Sequence, residues 1–213
     1  MKGILLLSDG IDSPVAGYQM GRQGVELIAL HFLTTSSNPD SQIKGVASIV
    51  KRLEGALDTS IRVYVVPHAD VLSTLSTSCK RNLTCVLCKR MMLRIAGGLA
   101  NETDASFIIM GDSLGQVASQ TLANMFAEEQ ATSVPVLRPL IGMDKTEITE
   151  ISRQIGTYDL SASSQSHCSY APEKPSTHSS LAEVQEEEEK ADIGSITDGA
   201  RGLIKEIDLS EVI

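Results

Sequence analysis

A run of four aliphatic residues, Ile4–Leu7, stops at Ser8-Asp9-Gly10 and leads through Ile11, Asp12 and Ser13 into Pro14. The run is too short for a helix of its own, and the small polar residues behind it mark a tight turn. Asp12 and Ser13 are helix-capping types and Pro14 suits a first helical turn, so a helix is expected from Ser13 to about Arg22. The segment thus reads as a buried strand, a small-residue turn and a helix N-terminus. Such a turn leaves backbone N–H groups unpaired and the helix end adds partial positive charge, which together favour an anion, most often a phosphate. Neither the lysine and spacing of a P-loop nor a GxGxxG fingerprint is present. Ser8, Gly10 and Ser13 are the candidate phosphate ligands, since hydroxyl and N–H groups donate to phosphate oxygens. A carboxylate there needs a cation between itself and the phosphate, which makes Asp12 the candidate Mg2+ anchor. A purely structural glycine turn is the competing reading.

The rest of the chain repeats the strand–helix alternation. Val25–Leu33 is apolar apart from Glu26 near its start and His31 near its end, as a parallel strand covered on both faces is. His31 reads as a buried rather than a catalytic histidine, and near the strand's carboxyl end it stays among the candidate nucleotide-binding residues. Helical spacing follows over Ser41–Leu57, a third strand over Ile61–Val66 and a helix over Asp70–Ser78. After the Cys85–Cys88 stretch, a helix is expected over Lys89–Leu99 and a fourth strand over Phe107–Met110. Another helix is expected from Gln116, with Val117, Ala118, Leu122 and Ala123 facing inward. Val134–Leu137 suits a short fifth strand, and Asp144 with Glu147 has capping-box spacing for a helix to Ile155. The fold class is therefore α/β, a parallel sheet of about five strands with helices on both faces. Asp159–Pro175 reads as a long loop around Cys168, Glu186–Glu189 as a solvated face, and Ala200–Ile213 as a short docked helix. A main domain over residues 1–180 and an acidic segment over 181–213 are expected.

Charge narrows the partners. The net charge of −9 gives no general attraction to nucleic acid or to an anionic membrane, so RNA would need a local basic patch or another subunit. No apolar run has the length of a membrane span and no signal segment opens the chain, so a soluble cytoplasmic protein without structural disulfides is expected.

Four regions would meet above the carboxyl edge of the sheet: the first turn, the loop after Leu33, the Gly111–Ser113 turn and the Arg138–Lys145 segment. Gly111 allows close backbone approach, while Asp112, Ser113 and Gln116 can bind hydroxyls, a base or Mg2+. Arg138 and Lys145 supply cations for a polyphosphate whose oxygens gain charge as a bond breaks, with a surface ion pair as the alternative for Arg138. Cys85 and Cys88 form a CxxC pair, and the neighbouring Lys89 and Arg90 can lower a thiol pKa. With Cys168 they could hold three corners of a [4Fe–4S] cluster, hold zinc with a fourth ligand such as His167, or exchange persulfide and disulfide. Inert buried cysteines are the fourth option, and Cys79 falls outside the pair spacing.

At this point a family comes into view. SDGIDSPVA at Ser8–Ala16 resembles the SGGxDSPVA pyrophosphate loop of the PP-loop ATP pyrophosphatases. CVLCKRMMLRIA at Cys85–Ala96, GDSLGQVASQT at Gly111–Thr121 and RPLIGMDKTEI at Arg138–Ile148 resemble the catalytic domain of the tRNA 4-thiouridine synthases, or tRNA sulfurtransferases. The resemblance implies an adenine-nucleotide α-hydrolase-like (PP-loop) fold and a place in thiouridine and thiamine biosynthesis. It implies ATP and Mg2+ on the first turn, adenylation of a tRNA uridine with release of pyrophosphate, and displacement of AMP by sulfur. By this likeness Asp12 and Lys145 are critical to adenylation, Cys168 is the catalytic cysteine, and Cys85, Cys88 and Cys168 bind a [4Fe–4S] cluster, with zinc as the alternative. Two departures stand out. Asp9 replaces a glycine of the motif, which adds repulsion toward a polyanion. The family's amino-terminal RNA-binding region and the rhodanese domain of some members have no counterpart in the sequence given. A separate RNA-binding subunit for tRNA is therefore expected; a sulfide or persulfide donor is the further partner, and a homodimer is one option. The alternatives are an adenylating ligase or amidotransferase on another acceptor, or a non-catalytic ATP- or metal-binding subunit.

Overall fold

The computed structural model describes residues 1–35, 37–163 and 168–212. Its first strand, β1 (Lys2–Leu6), is parallel to β2 (Glu26–Leu33) on one side and to β4 (Phe107–Ile109) on the other. Beyond β2 lies β3 (Arg62–Pro67), and beyond β4 lies β5 (Val136–Leu137), both parallel to their neighbours. The mostly parallel sheet expected from the alternation is thus present, in the order β5-β4-β1-β2-β3-β6. Its sixth member, β6 (Lys205–Ile207), pairs antiparallel with β3, where the sequence suggested a short docked helix. Edge pairing with Val63–Val65 holds this strand, a long-range cause that three residues of Lys-Glu-Ile do not announce.

Period-two side-chain alternation sends the strand residues to opposite faces. Ile4 and Leu6 join Ile28, Leu30 and Phe32 beneath α3 (Ala69–Ser78) and the long α4 (Thr84–Thr103). Leu5 and Leu7 join Leu27, Ala29 and Ile109 beneath α1 (Asp12–Gly21), α2 (Pro39–Leu57) and α6 (Lys145–Gln154). Asn38 starts α2 by accepting from the Ser41 N–H with Pro39 in the first turn, and Asp144 and Glu147 form the expected capping box of α6. From Leu181 onward, α8 (Leu181–Lys190) and α9 (Ile193–Arg201) add Val184, Ile193 and Ala200 to the first of these cores.

Three further expectations change. Residues 111–121 do not form a helix from Gln116; α5 (Leu122–Glu129) starts later, capped by Thr121, and Val117 and Leu122 face solvent. Gly115, at φ +71°, turns the chain out of helical conformation, and the N–H of Gln120 closes back on the Val117 carbonyl. Part of the loop expected over 159–175 is helical, as α7 (Tyr158–Ser163). The acidic run is not a solvated face: Glu187 and Glu188 are buried, and Glu188 pairs with both Arg90 and Arg94 of α4.

The chain moves outward from β1 to β2 and β3, then crosses back to β4 and β5. That reversal places a crevice beyond the carboxyl ends of β1 and β4, the position where open α/β sheets take ligands. No described helix is long and apolar enough to cross a membrane.

Candidate active site

The turn after β1 is tied by its own hydroxyls. Ser13 Oγ accepts the Ser8 N–H at 2.9 Å and lies 3.0 Å from Ser8 Oγ, which in turn accepts the Gly10 N–H at 3.2 Å. Ser8 and Gly10 are exposed, whereas Ser13 is buried. Neither Asp12 nor Ser13 caps α1 as expected; Ile11 holds the N-cap position, with no side-chain bond to the helix. Ser13 is spent on the turn, and Asp12 reaches across to Lys145 Nζ, 2.5 Å away at the start of α6. Packing of α1 against α6 thus joins two residues that are far apart in sequence.

Gly111 explains how the end of β4 backs this turn. A Cβ at that position would lie 2.7 Å from the Ser13 nitrogen and 2.8 Å from its Cα, both backbone atoms of α1. Next to it, Asp112 is buried and takes Lys89 Nζ at 2.9 Å and Arg138 Nε at 3.2 Å. Burial alone would raise the Asp112 carboxyl; the Lys89 ammonium, then the Arg138 guanidinium, outweigh it and hold it below the usual carboxylate range. Lys89 also lies 3.5 Å from Glu128, a carboxyl that burial pushes up to about 7. Arg138 pairs with Asp112, Glu128 and Glu129, so it belongs to a buried charge network rather than to a surface ion pair. Ser113 Oγ donates to the Met143 carbonyl at 2.9 Å, and Gln116 sits half-buried on the same loop.

His31 is buried with Nδ1 2.8 Å from the Leu7 carbonyl. A carbonyl only accepts, so Nδ1 carries the proton and Nε2 is left as a buried acceptor with no partner among the described residues. Burial lowers the His31 pKa and keeps the ring neutral near pH 7.

The cysteines stand beside this turn. Cys85 and Cys88 lie within the first turns of α4, not on a stretch ahead of it, because the helix already begins at Thr84. A cavity of about 320 Å3 is bordered by Ser8, Asp9, Gly10 and His31 on one side and by His68, Cys88 and Cys168 on the other. A second, of about 280 Å3, is bordered by Cys85, Cys88, Cys168, Lys89 and Gln120. Cys88 and Cys168 border both, so the candidate phosphate turn and the three cysteines open onto one crevice. The basic neighbours do not activate the thiols. Burial, then the nearby Cys168, pushes Cys85 and Cys88 up against the weaker pull of Lys89, and Arg90 is turned away to Glu188. Cys79 is elsewhere, its thiol donating to the Glu187 carbonyl. Among the described residues no three His, Cys, Asp or Glu side chains converge as a ready metal-ion set, and His167 lies outside the described residues. Sequence reasoning missed His68, Glu128 and Gln120; for His68 the available signal was its place directly behind the third strand, at the sheet's carboxyl edge.

A mostly parallel sheet with a hydroxyl-rich turn behind its first strand, set at the switch point, makes this an α/β protein whose arrangement fits the PP-loop class. Residues 1–193 match the family model of ThiI, the thiamine biosynthesis protein, and the chain belongs to that family. It is 38% identical to the "Probable tRNA sulfurtransferase" of Methanocaldococcus jannaschii, over 89% of this chain and 49% of that protein. It is 40% identical to the protein of the same name from Finegoldia magna, over 92% of this chain and 50% of the relative. The chain therefore spans about half the length of the curated relatives it matches. A crystal structure of a 4-thiouridine synthetase–RNA complex with bound ATP is similar with TM-score 0.89 and 33% identity, over 97% of this chain and 55% of that one. The U34-tRNA thiolase NcsA from Methanococcus maripaludis, solved with its [4Fe–4S] cluster, shares the fold at TM-score 0.52 and 16% identity, over 95% of this chain and 69% of that one.

Proposed function

We propose that this chain is the adenylating and sulfur-transferring unit of an ATP-dependent tRNA sulfurtransferase that makes 4-thiouridine. The observation that carries the proposal is the shared crevice: the turn after β1 and all three cysteines border two cavities that have Cys88 and Cys168 in common. Activation at the uridine O4 and sulfur delivery at the adjoining C4 must act on the same base in succession, and a shared crevice suits that requirement.

ATP lies with its pyrophosphate on the turn, where the hydroxyls of Ser8 and Ser13 and the Gly10 N–H exchange their mutual bonds for phosphate oxygens. Asp12 would hold Mg2+, which would supply positive charge to the phosphates, and Lys145, released from Asp12, meets the oxygens that gain charge. The uridine O4 attacks the α-phosphorus and pyrophosphate leaves; sulfur then attacks C4 and AMP leaves with that oxygen. His31 borders the nucleotide cavity, while Gly111, Ser113 and Gln116 shape the loop behind it. Arg138 and Asp112 serve as its braces through Lys89 and Glu128.

All three thiols border one cavity, and three cysteines can hold three corners of a [4Fe–4S] cluster or, with a fourth ligand, zinc. Cys85, Cys88 and Cys168 would hold a [4Fe–4S] cluster, which when bound supplies an open iron for sulfide. The net charge of −9 gives the chain little attraction to RNA, so recognition of tRNA falls to a further region or subunit.

An anaerobic assay with ATP, Mg2+, sulfide, unmodified tRNA and a candidate RNA-binding subunit tests this. AMP and 4-thiouridine are expected together, and Asp12→Asn and Lys145→Met should each slow AMP formation on the order of 10²-fold without a change in melting. ATP binding with no AMP formed under any of these conditions would overturn the proposal in favour of a non-catalytic nucleotide-binding subunit.

A further inference from the structure

We infer that His68 donates its Nε2–H to the Cys88 sulfur and makes Cys88 the fixed anchor of the sulfur-handling site. The inference rests on the reading of Cys85, Cys88 and Cys168 as that site. It makes His68 a positioning residue, since the ring acts through Cys88.

His68 follows β3 and occupies the N-cap position of α3. Its backbone is pinned on both sides: its N–H donates to the Leu33 carbonyl at 2.9 Å and its carbonyl accepts the Leu72 N–H at 3.0 Å. The ring is buried and stands edge-on to Phe32, with centroids 5.0 Å apart and planes at 73°. That pose leaves Nε2 3.3 Å from Cys88 Sγ.

The tautomer follows from counting donors. A neutral imidazole carries one N–H, and Nδ1 is buried without a partner among the described residues. A proton on Nδ1 would be an orphaned buried donor, rarer in folded proteins than an orphaned acceptor. A proton on Nε2 points at sulfur, while the Cys88 S–H keeps an outlet of its own toward Met92 Sδ at 3.9 Å. A sulfur bearing negative charge can only accept, so the same tautomer serves Cys88 once it becomes a thiolate ligand. Hydrogen bonds to ligand sulfur orient it and tune its electronics. Cys168, by contrast, is exposed and lies on a loop. The three thiols are thus unequal: Cys88 is held from behind by His68, whereas Cys168 is exposed.

Two measurements on the full chain test this. Histidine-selective 15N NMR of the untreated protein should show His68 as the Nε2–H tautomer, and Cys88→Ala should perturb its ring nitrogens. After anaerobic reconstitution with iron and sulfide, His68→Phe should move the reduction potential negative and shift the sulfur-to-iron absorption. His68→Gln, which restores an N–H near the Nε2 position, should recover both; if His68→Phe fails to load, recovery of loading by His68→Gln supports the same role. An Nδ1–H tautomer, or one potential shared by wild type and both variants, would overturn the role of His68 alone. A wild-type protein that loads no cluster would overturn the sulfur-site reading, and the anchor role with it, whichever tautomer is found.

Discussion

Glu128 and Glu129 are adjacent and chemically alike, yet only Glu128 is buried without exposed surface, 3.5 Å from Lys89 and 3.7 Å from Arg138. Burial lifts its carboxyl from 4.5 to about 7, so between those values the folded chain holds a proton that the unfolded chain has released. The native state then binds more protons, and stability falls as pH rises through this window. Glu128→Gln removes the titration. Its unfolding free energy in urea, measured from pH 4.5 to 8, should gain on wild type as pH approaches 7 and run level above it. At roughly 1.4 kcal/mol per pH unit the gain is at most about 3 kcal/mol; a pH-independent difference would refute the assignment. Nothing local in the sequence separates these two glutamates, because the burial of one is set by Lys89 and Arg138 on other elements. Asp144 and Glu147 are the opposite case. A capping box is complete within four residues, and it is present as its spacing required.

At the scale of elements, α8 is fastened to α4 by one carboxylate. Glu188 takes Arg90 Nε and Nη2 at 2.8 Å each, and also pairs with Arg94. Arg90 is 1% exposed, so Glu188→Ala would strand a buried guanidinium. A loss of about 3–5 kcal/mol is expected in urea unfolding. The exposed Glu189→Ala serves as control, with a change within about 0.5 kcal/mol. Equal effects of the two substitutions would mean that the clamp contributes nothing. Because α4 also carries Cys85 and Cys88, loosening it should lower loading of the proposed cluster. In the sequence this run of glutamates looked solvated, since four like charges in a row usually are. The arginines that neutralise one of them lie 94 and 98 positions away. The first strand–turn–helix unit was legible because its hydrophobic run, turn residues and proline are all local. Gly115 is the opposite case: the apolar spacing from Gln116 suits a helix, but the backbone leaves helical conformation at Gly115.

For the whole molecule, the order of strands matters more than their count. Alternation shows a parallel sheet but not that the chain reverses at β1, and the reversal is what joins the β1 turn to the β4 loop. Asp12 comes from α1, Lys145 from α6, and Gly111 from behind β4, so the proposed nucleotide site exists only when both halves of the sheet are assembled. A ligand of such a site binds the folded chain and not the unfolded one. At 100 times its dissociation constant, Mg-ATP should therefore add about 2.7 kcal/mol. For a domain of this size that is a rise in Tm of roughly 5–10 °C. The rise should appear as one cooperative transition moving as a unit, because no half of the sheet holds the site alone. Lys145→Met removes one charged contact to the phosphates, worth about 1.5–3 kcal/mol, and should shrink the rise at the same ATP concentration. A shift confined to one of two unfolding steps would show the halves to be separable. An absent shift would deny that the turn after β1 holds nucleotide at all, and the chemistry assigned to Asp12 and Lys145 would fall with it.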